Sequence, residues 1–114
     1  MGRLVTRLTR DANRIWLLEF LGAADQEVFY QVTETEIPAI LKILERSEVG
    51  KLVVDLTTSQ DFNSRGLEFL HRMYQQLAGR NIAIILRNPS VHLRQVLRIM
   101  QLDQAFEIEF DESF

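Results

Sequence analysis

The chain of 114 residues is 46% apolar and 25% charged, the composition of one globular domain and not of a disordered segment. It contains no cysteine, which excludes disulfides, iron–sulfur clusters, thiolate zinc sites and thiol catalysis. A net charge of −3 argues against general nucleic-acid binding. No apolar run approaches the ~20 residues of a membrane span, and the arginine-bearing start MGRLVTRLTR lacks the apolar centre of a secretory signal. The expectation is a single cytoplasmic domain over residues 1–114 with no membrane insertion.

Leu4–Leu8 alternates apolar and polar residues and reads as a strand. Asp11 and Asn13 are turn residues. Ile15–Leu21, apolar except for Glu19, reads as a second strand stopped by Gly22. The short gap predicts an antiparallel hairpin. Asp25–Thr35 fits a loop, a short helix or both. Ile37, Ile40, Leu41 and Leu44 then keep helical spacing. Thr33 with Glu36 has the form of a capping box, and Pro38 would fall in a first turn, where no internal donor is needed. Leu52–Leu56 reads as a strand, Thr57–Asn63 as a polar loop, and Leu67, Leu70, Met73, Tyr74 and Leu77 as a helix with Gly79 as C-cap. Ile82–Leu86 is a buried-type strand. Ser90 is a candidate N-cap for a helix carrying Val96, Leu97 and Met100. Phe106, Ile108 and Phe110 alternate with Glu107 and Glu109, the pattern of a half-exposed strand. The order β-β-α-β-α-β-α-β implies an α/β fold: a mixed sheet flanked by helices, with right-handed parallel crossovers after the hairpin.

In such a sheet each helix starts near the carboxyl end of the preceding strand, so one edge gathers the loops Gly22–Asp25, Thr57–Ser64 and Arg87–Ser90. Helix N-termini there favour an anion. The run Asp61-Phe62-Asn63-Ser64-Arg65-Gly66 is the densest polar feature. Asn63 or Ser64 would cap the next helix. Gly66 in its first turn costs about 1 kcal/mol of helix stability, so a close approach by a neighbour is expected there.

At this loop the sequence resembles the STAS domain, the fold of bacterial anti-sigma factor antagonists. The residues carrying the likeness are Leu52-Val53-Val54-Asp55-Leu56 followed by Phe62-Asn63-Ser64-Arg65-Gly66-Leu67. They stand where the family has an LVLDL-type strand and Asp-Ser-Ser-Gly-Leu. Leu21-Gly22-Ala23-Ala24-Asp25 looks like the family's segment after its second strand. Arg87-Asn88-Pro89-Ser90-Val91 with Leu97 and Met100-Gln101-Leu102 looks like its last helix and turn, and Asp111-Glu112-Ser113 like its acidic end. The resemblance implies a binding module rather than an enzyme, without cofactor or metal. Its phosphoacceptor would be Ser64, and its partner an anti-sigma factor that is itself a histidine-kinase-like serine kinase, with a phosphatase reversing the modification. Phe62, Asn63, Ser64, Arg65, Gly66, Leu67, Asp25, Asn88 and Ser90 would lie at the partner-facing edge. The pattern departs from the family's where Asn63 replaces its aspartate and Arg65 its second serine. Arg65 fits either a phosphate or acidic partner or a solvated side chain. Thr57, Thr58 and Ser59 are weaker candidate hydroxyls. The alternative is a STAS adaptor or scaffold subunit, in a signalling particle or beside a membrane transporter, with no phosphorylation switch.

Charge is segregated. Phe69–Leu102 holds Arg72, Arg80, Arg87, Arg94 and Arg98 with no acid, whereas Asp103–Phe114 holds five acids and no base. This reads either as a contact surface or as a solvated surface paired to the acidic tail. His71 and His92 lack partners at metal-ligand spacing, and the five glycines are scattered singly, without a phosphate-binding loop. Trp16, Phe20 and Tyr74 read as core; Phe29 and Tyr30 fall in the ambiguous segment, where core packing is the expected fate and a partly exposed interface the alternative.

Overall fold

The chain enters as a hairpin. In a computed structural model that describes residues 6–20, 26–45, 50–57 and 64–110, β1 (Thr6–Arg10) runs antiparallel to β2 (Ile15–Phe20). The turn is built by Asp11, whose Oδ1 accepts from the amides of Asn13 at 2.8 Å and Ile15 at 3.1 Å, and by Arg14 in the left-handed region. Then follow β3 (Lys51–Asp55), β4 (Ala83–Arg87) and β5 (Glu107–Glu109), each parallel to its predecessor. The sheet order is β1-β2-β3-β4-β5.

Strands laid down in sequence through right-handed crossovers carry their helices on one face. The core agrees. Trp16, Leu18, Phe20, Leu52, Val54, Ile84 and Leu86, every second strand residue, cluster with Val32, Ile40, Leu44, Phe69, Leu70, Met73, Leu77, Leu93 and Leu97 from the helical segments. The expected flanking by helices is therefore one-sided. The opposite face carries the alternate residues, with Leu17, Val53 and Ile85 in register across its middle.

One open reading is settled and two are corrected. The ambiguous segment is helical over its described residues: α1 (Gln26–Gln31) runs through a π turn (Val32–Glu36) into α2 (Ile37–Glu45). Thr33 and Glu36 consequently cap nothing; both are buried inside a continuous helical stretch. The π turn also explains Pro38. A proline ring clashes with the carbonyl four residues back and leaves it without a donor, and the wider turn, closed by the Ile37 amide on the Val32 carbonyl, relieves that crowding. Finally, α3 (Ser64–Leu77) does not stop on Gly79 but tightens into a 3₁₀ turn (Ala78–Arg80) and ends on Asn81, whose φ of 56° supplies the left-handed stop. Asparagine tolerates that conformation through its short polar side chain.

The aromatic core follows expectation. Trp16 and Phe20 are buried, Phe20 meets Phe69 edge-on at 5.8 Å, and Tyr74 meets Phe106 at 5.9 Å. Tyr30 is exposed, against the expectation of core packing. Among the described residues no helix is long and apolar enough to cross a membrane.

Candidate functional site at the carboxyl edge of the sheet

The carboxyl ends of β3 and β4 are tied to each other by side chains as well as backbone. Asp55 is the last residue of β3, and its Oδ1 accepts from the Thr57 amide at 3.0 Å and the Thr57 hydroxyl at 2.6 Å. Having donated its proton to Asp55, the same hydroxyl accepts from Asn88 Nδ2 at 2.8 Å. The Leu56 amide meanwhile donates to the Arg87 carbonyl at 2.9 Å. Asn88 is buried and sits at φ 55°, a turn that redirects the chain from β4 toward α4 (Val91–Ile99). Its amide donates to the Glu109 carbonyl at 2.9 Å, and Arg87 Nε donates to Glu109 Oε1 at 2.7 Å. The edge is thus a bonded frame running from β3 through β4 to β5.

Two helices follow these strands in the chain. Ser90 caps α4, its Oγ accepting from the Leu93 amide at 3.1 Å, as the sequence predicts. Ser64 is the first residue of α3, nine positions after Asp55. Helix starts leave amides without internal partners and carry partial positive charge. The helices that follow β3 and β4 accordingly begin on positive backbone ends, while the frame itself carries the carboxylates of Asp55 and Glu109 and the guanidinium of Arg87.

Of the residues singled out in the sequence, Asn88 and Ser90 lie on this frame. Ser64 and Arg65 belong to the first turn of α3 as backbone, Gly66 is buried behind them, and Leu67 is half-buried against the core. Asp25, Phe62, Asn63, Thr58 and Ser59 lie outside the described residues. Sequence reading underrated Thr57, a secondary candidate that is the hub joining β3 to β4. The available signal was a hydroxyl two positions after an aspartate, the pattern of a side-chain turn.

The arginine-rich stretch is partly neutralised. Arg72 lies 3.4 Å from Glu68 and 3.8 Å from Glu34, and Arg87 is paired to Glu109. Arg94 places its guanidinium 5.1 Å from the centre of the Phe110 ring. Among the described residues no group of acidic or histidine side chains is arranged to hold a metal ion.

Comparison with known proteins places the fold. A model of the STAS domain family matches residues 23–113. No curated protein sequence matches the chain. Among solved structures, the anti-sigma factor antagonist SpoIIAA in its unphosphorylated form superposes with a TM-score of 0.68 at 16% identity, covering 95% of this chain and 90% of that one. The Bacillus cell fate determinant SpoIIAA in its phosphorylated form gives 0.64 at 20%, covering 95% and 94%. An anti-sigma-factor antagonist (STAS) domain protein from Planctomyces limnophilus gives 0.65 at 19%, covering 95% and 92%. At these identities the likeness is one of fold.

Proposed function

The chain belongs to the STAS domain family, and on that premise we propose that it is an anti-sigma factor antagonist-like regulatory module whose docking edge is switched by phosphorylation of Ser64. It binds rather than catalyses. Its partner is a histidine-kinase-like serine kinase acting as an anti-sigma factor, and the docking surface runs from Phe62 to Leu67 with Asp25, Asn88 and Ser90 beside it. The observation that carries this reading is the place of Ser64 as first residue of α3, in a fold shared with an antagonist solved in both unphosphorylated and phosphorylated forms.

The physics of the switch follows from that place. The Ser64 hydroxyl attacks the terminal phosphorus of ATP in the kinase, ADP leaves, and the hydroxyl proton passes to the kinase. The product carries about −1.5 to −2 charges. At a helix start the fold accommodates this charge, because the helix dipole favours an anion. A partner surface fitted to a neutral hydroxyl does not accommodate it. The bonded frame of Asp55, Thr57 and Asn88 keeps the edge in place, so the modification changes a surface and not the fold.

Asn63 and Arg65, standing where the family carries aspartate and serine, favour a second reading: a constitutive adaptor with the same docking edge and no switch. One experiment separates the two. The partner captured from native cells is incubated with the protein and ATP, and phosphate is located by mass spectrometry. The switch predicts phosphate on Ser64 and none on the Ser64→Ala variant; the adaptor predicts bound partner and no phosphate.

A further inference from the structure

The two edges of the sheet carry opposite charge and matching backbone. At one edge β1 reads Thr6-Arg7-Leu8-Thr9-Arg10, with two cations and no anion; at the other β5 reads Glu107-Ile108-Glu109, with two anions and no cation. From this complementarity we infer that a second copy of this chain adds its β5 edge to the β1 edge of the first, antiparallel and in a single register, so that copies join head to tail.

Backbone directions limit the register, and charge selects within it. The Thr6 amide donates to Glu36 Oε1 at 3.2 Å, and therefore points away from β2. In an antiparallel ladder the amides of Leu8 and Arg10 then point outward as well. At the other edge the Glu109 carbonyl is taken by Asn88 on the β4 side, so the amide and carbonyl of Ile108 point outward. Setting Ile108 opposite Leu8 lets these two residues exchange both hydrogen bonds. The neighbouring pairs become Glu109 with Arg7 and Glu107 with Thr9. These are the closely spaced non-bonded pairs in which opposite charges interact best.

Both faces of the sheet agree with that register. Arg7, Thr9, Glu107 and Glu109 fall on the helix-free face, continuing the registered row Asp55–Arg87–Glu109 into Arg7 and Glu19 of the next copy. On the helix face Ile108 and Phe110 are 39% and 51% exposed. Opposite them in the next copy lies an apolar groove of ≈ 470 Å³ between β1 and α2, lined by Thr6, Leu8, Ile40 and Ile43. Pairing of like edges is disfavoured, since it sets arginine against arginine or glutamate against glutamate. Head-to-tail contact does not close at two copies.

Sedimentation of the full chain at increasing concentration tests this. A weight-average mass that climbs without a plateau at the dimer is expected, and a constant monomer mass up to millimolar concentration overturns the inference. Arg7→Glu alone and Glu109→Arg alone should each weaken association about tenfold, by turning the Arg7–Glu109 contact into a repulsion. Mixing the two variants restores it, because every contact in the mixture between unlike chains is again complementary. Association that is unchanged in either variant, or a mixture that stays dissociated, contradicts the register. Ile108→Pro gives a second check: it removes an outward-pointing amide, at a place where an edge strand tolerates proline, and exchanges the isoleucine side chain for a smaller ring. It should retain the folded circular-dichroism spectrum while losing association; folded and fully associating Ile108→Pro contradicts the pairing.

Discussion

Thr57 makes the frame a frame. Its hydroxyl is spent twice, donating to Asp55 and accepting from Asn88. Thr57→Val keeps the shape and removes both bonds, and should destabilise the fold by about 1–3 kcal/mol, read as a lower urea midpoint at unchanged slope. Asn88 adds a backbone requirement to its side-chain bond, because φ is 55°. Asn88→Gly loses only the side-chain bond; Asn88→Ala also strains the left-handed turn and should be less stable than the glycine variant by about 1 kcal/mol, by the same titration. Some of this was legible beforehand. Asn88-Pro89-Ser90 announced a turn and a cap, and Ser90 caps α4 as expected. The role of Thr57 was hidden because its second partner is 31 positions away, a distance no local pattern carries.

Among the elements, the strands were the most readable. β-branched runs such as Leu52–Leu56 and the alternation around Ile108 mark strands whatever their neighbours are, and the structure moves their limits by one residue or so. The helical stretch from Gln26 to Glu45 was misread at its middle. Thr33 and Glu36 have the letters of a helix start, but the Glu36 carboxylate is buried and turned to the hairpin. There it accepts from the Thr6 amide and hydroxyl, and from Gln31 Nε2 at 3.1 Å. Sequence spacing cannot separate a carboxylate that bonds its own helix from one that bonds a strand 30 positions earlier. Glu36 thereby ties the helical layer to the edge strand β1. Glu36→Ala should cost about 1.5–3 kcal/mol, the range for hydrogen bonds to a charged group. Glu36→Gln, which keeps an oxygen for Thr6, should cost less, and hydrogen exchange of the Thr6 amide should rise more in the alanine variant.

For the whole molecule, sequential strand order leaves one face of the sheet without helices among the described residues and gathers the helix starts of α3 and α4 at one end. That arrangement suits a module that is docked against. The polar frame holds the end of the sheet, and Ser64 stands as the first residue of α3. The net charge of −3 conceals a segregation: two arginines on β1 and two glutamates on β5. The central claim, that charge at Ser64 governs docking, is tested most directly by the affinity of the captured partner for Ser64→Asp against Ser64→Ala. Both variants should give the native circular-dichroism spectrum. The account predicts Ser64→Ala binding as tightly as the unmodified protein and Ser64→Asp at least about tenfold more weakly, since like charge or an unpaired anion at an interface costs more than 1.4 kcal/mol. Equal affinities in the two folded variants would contradict it.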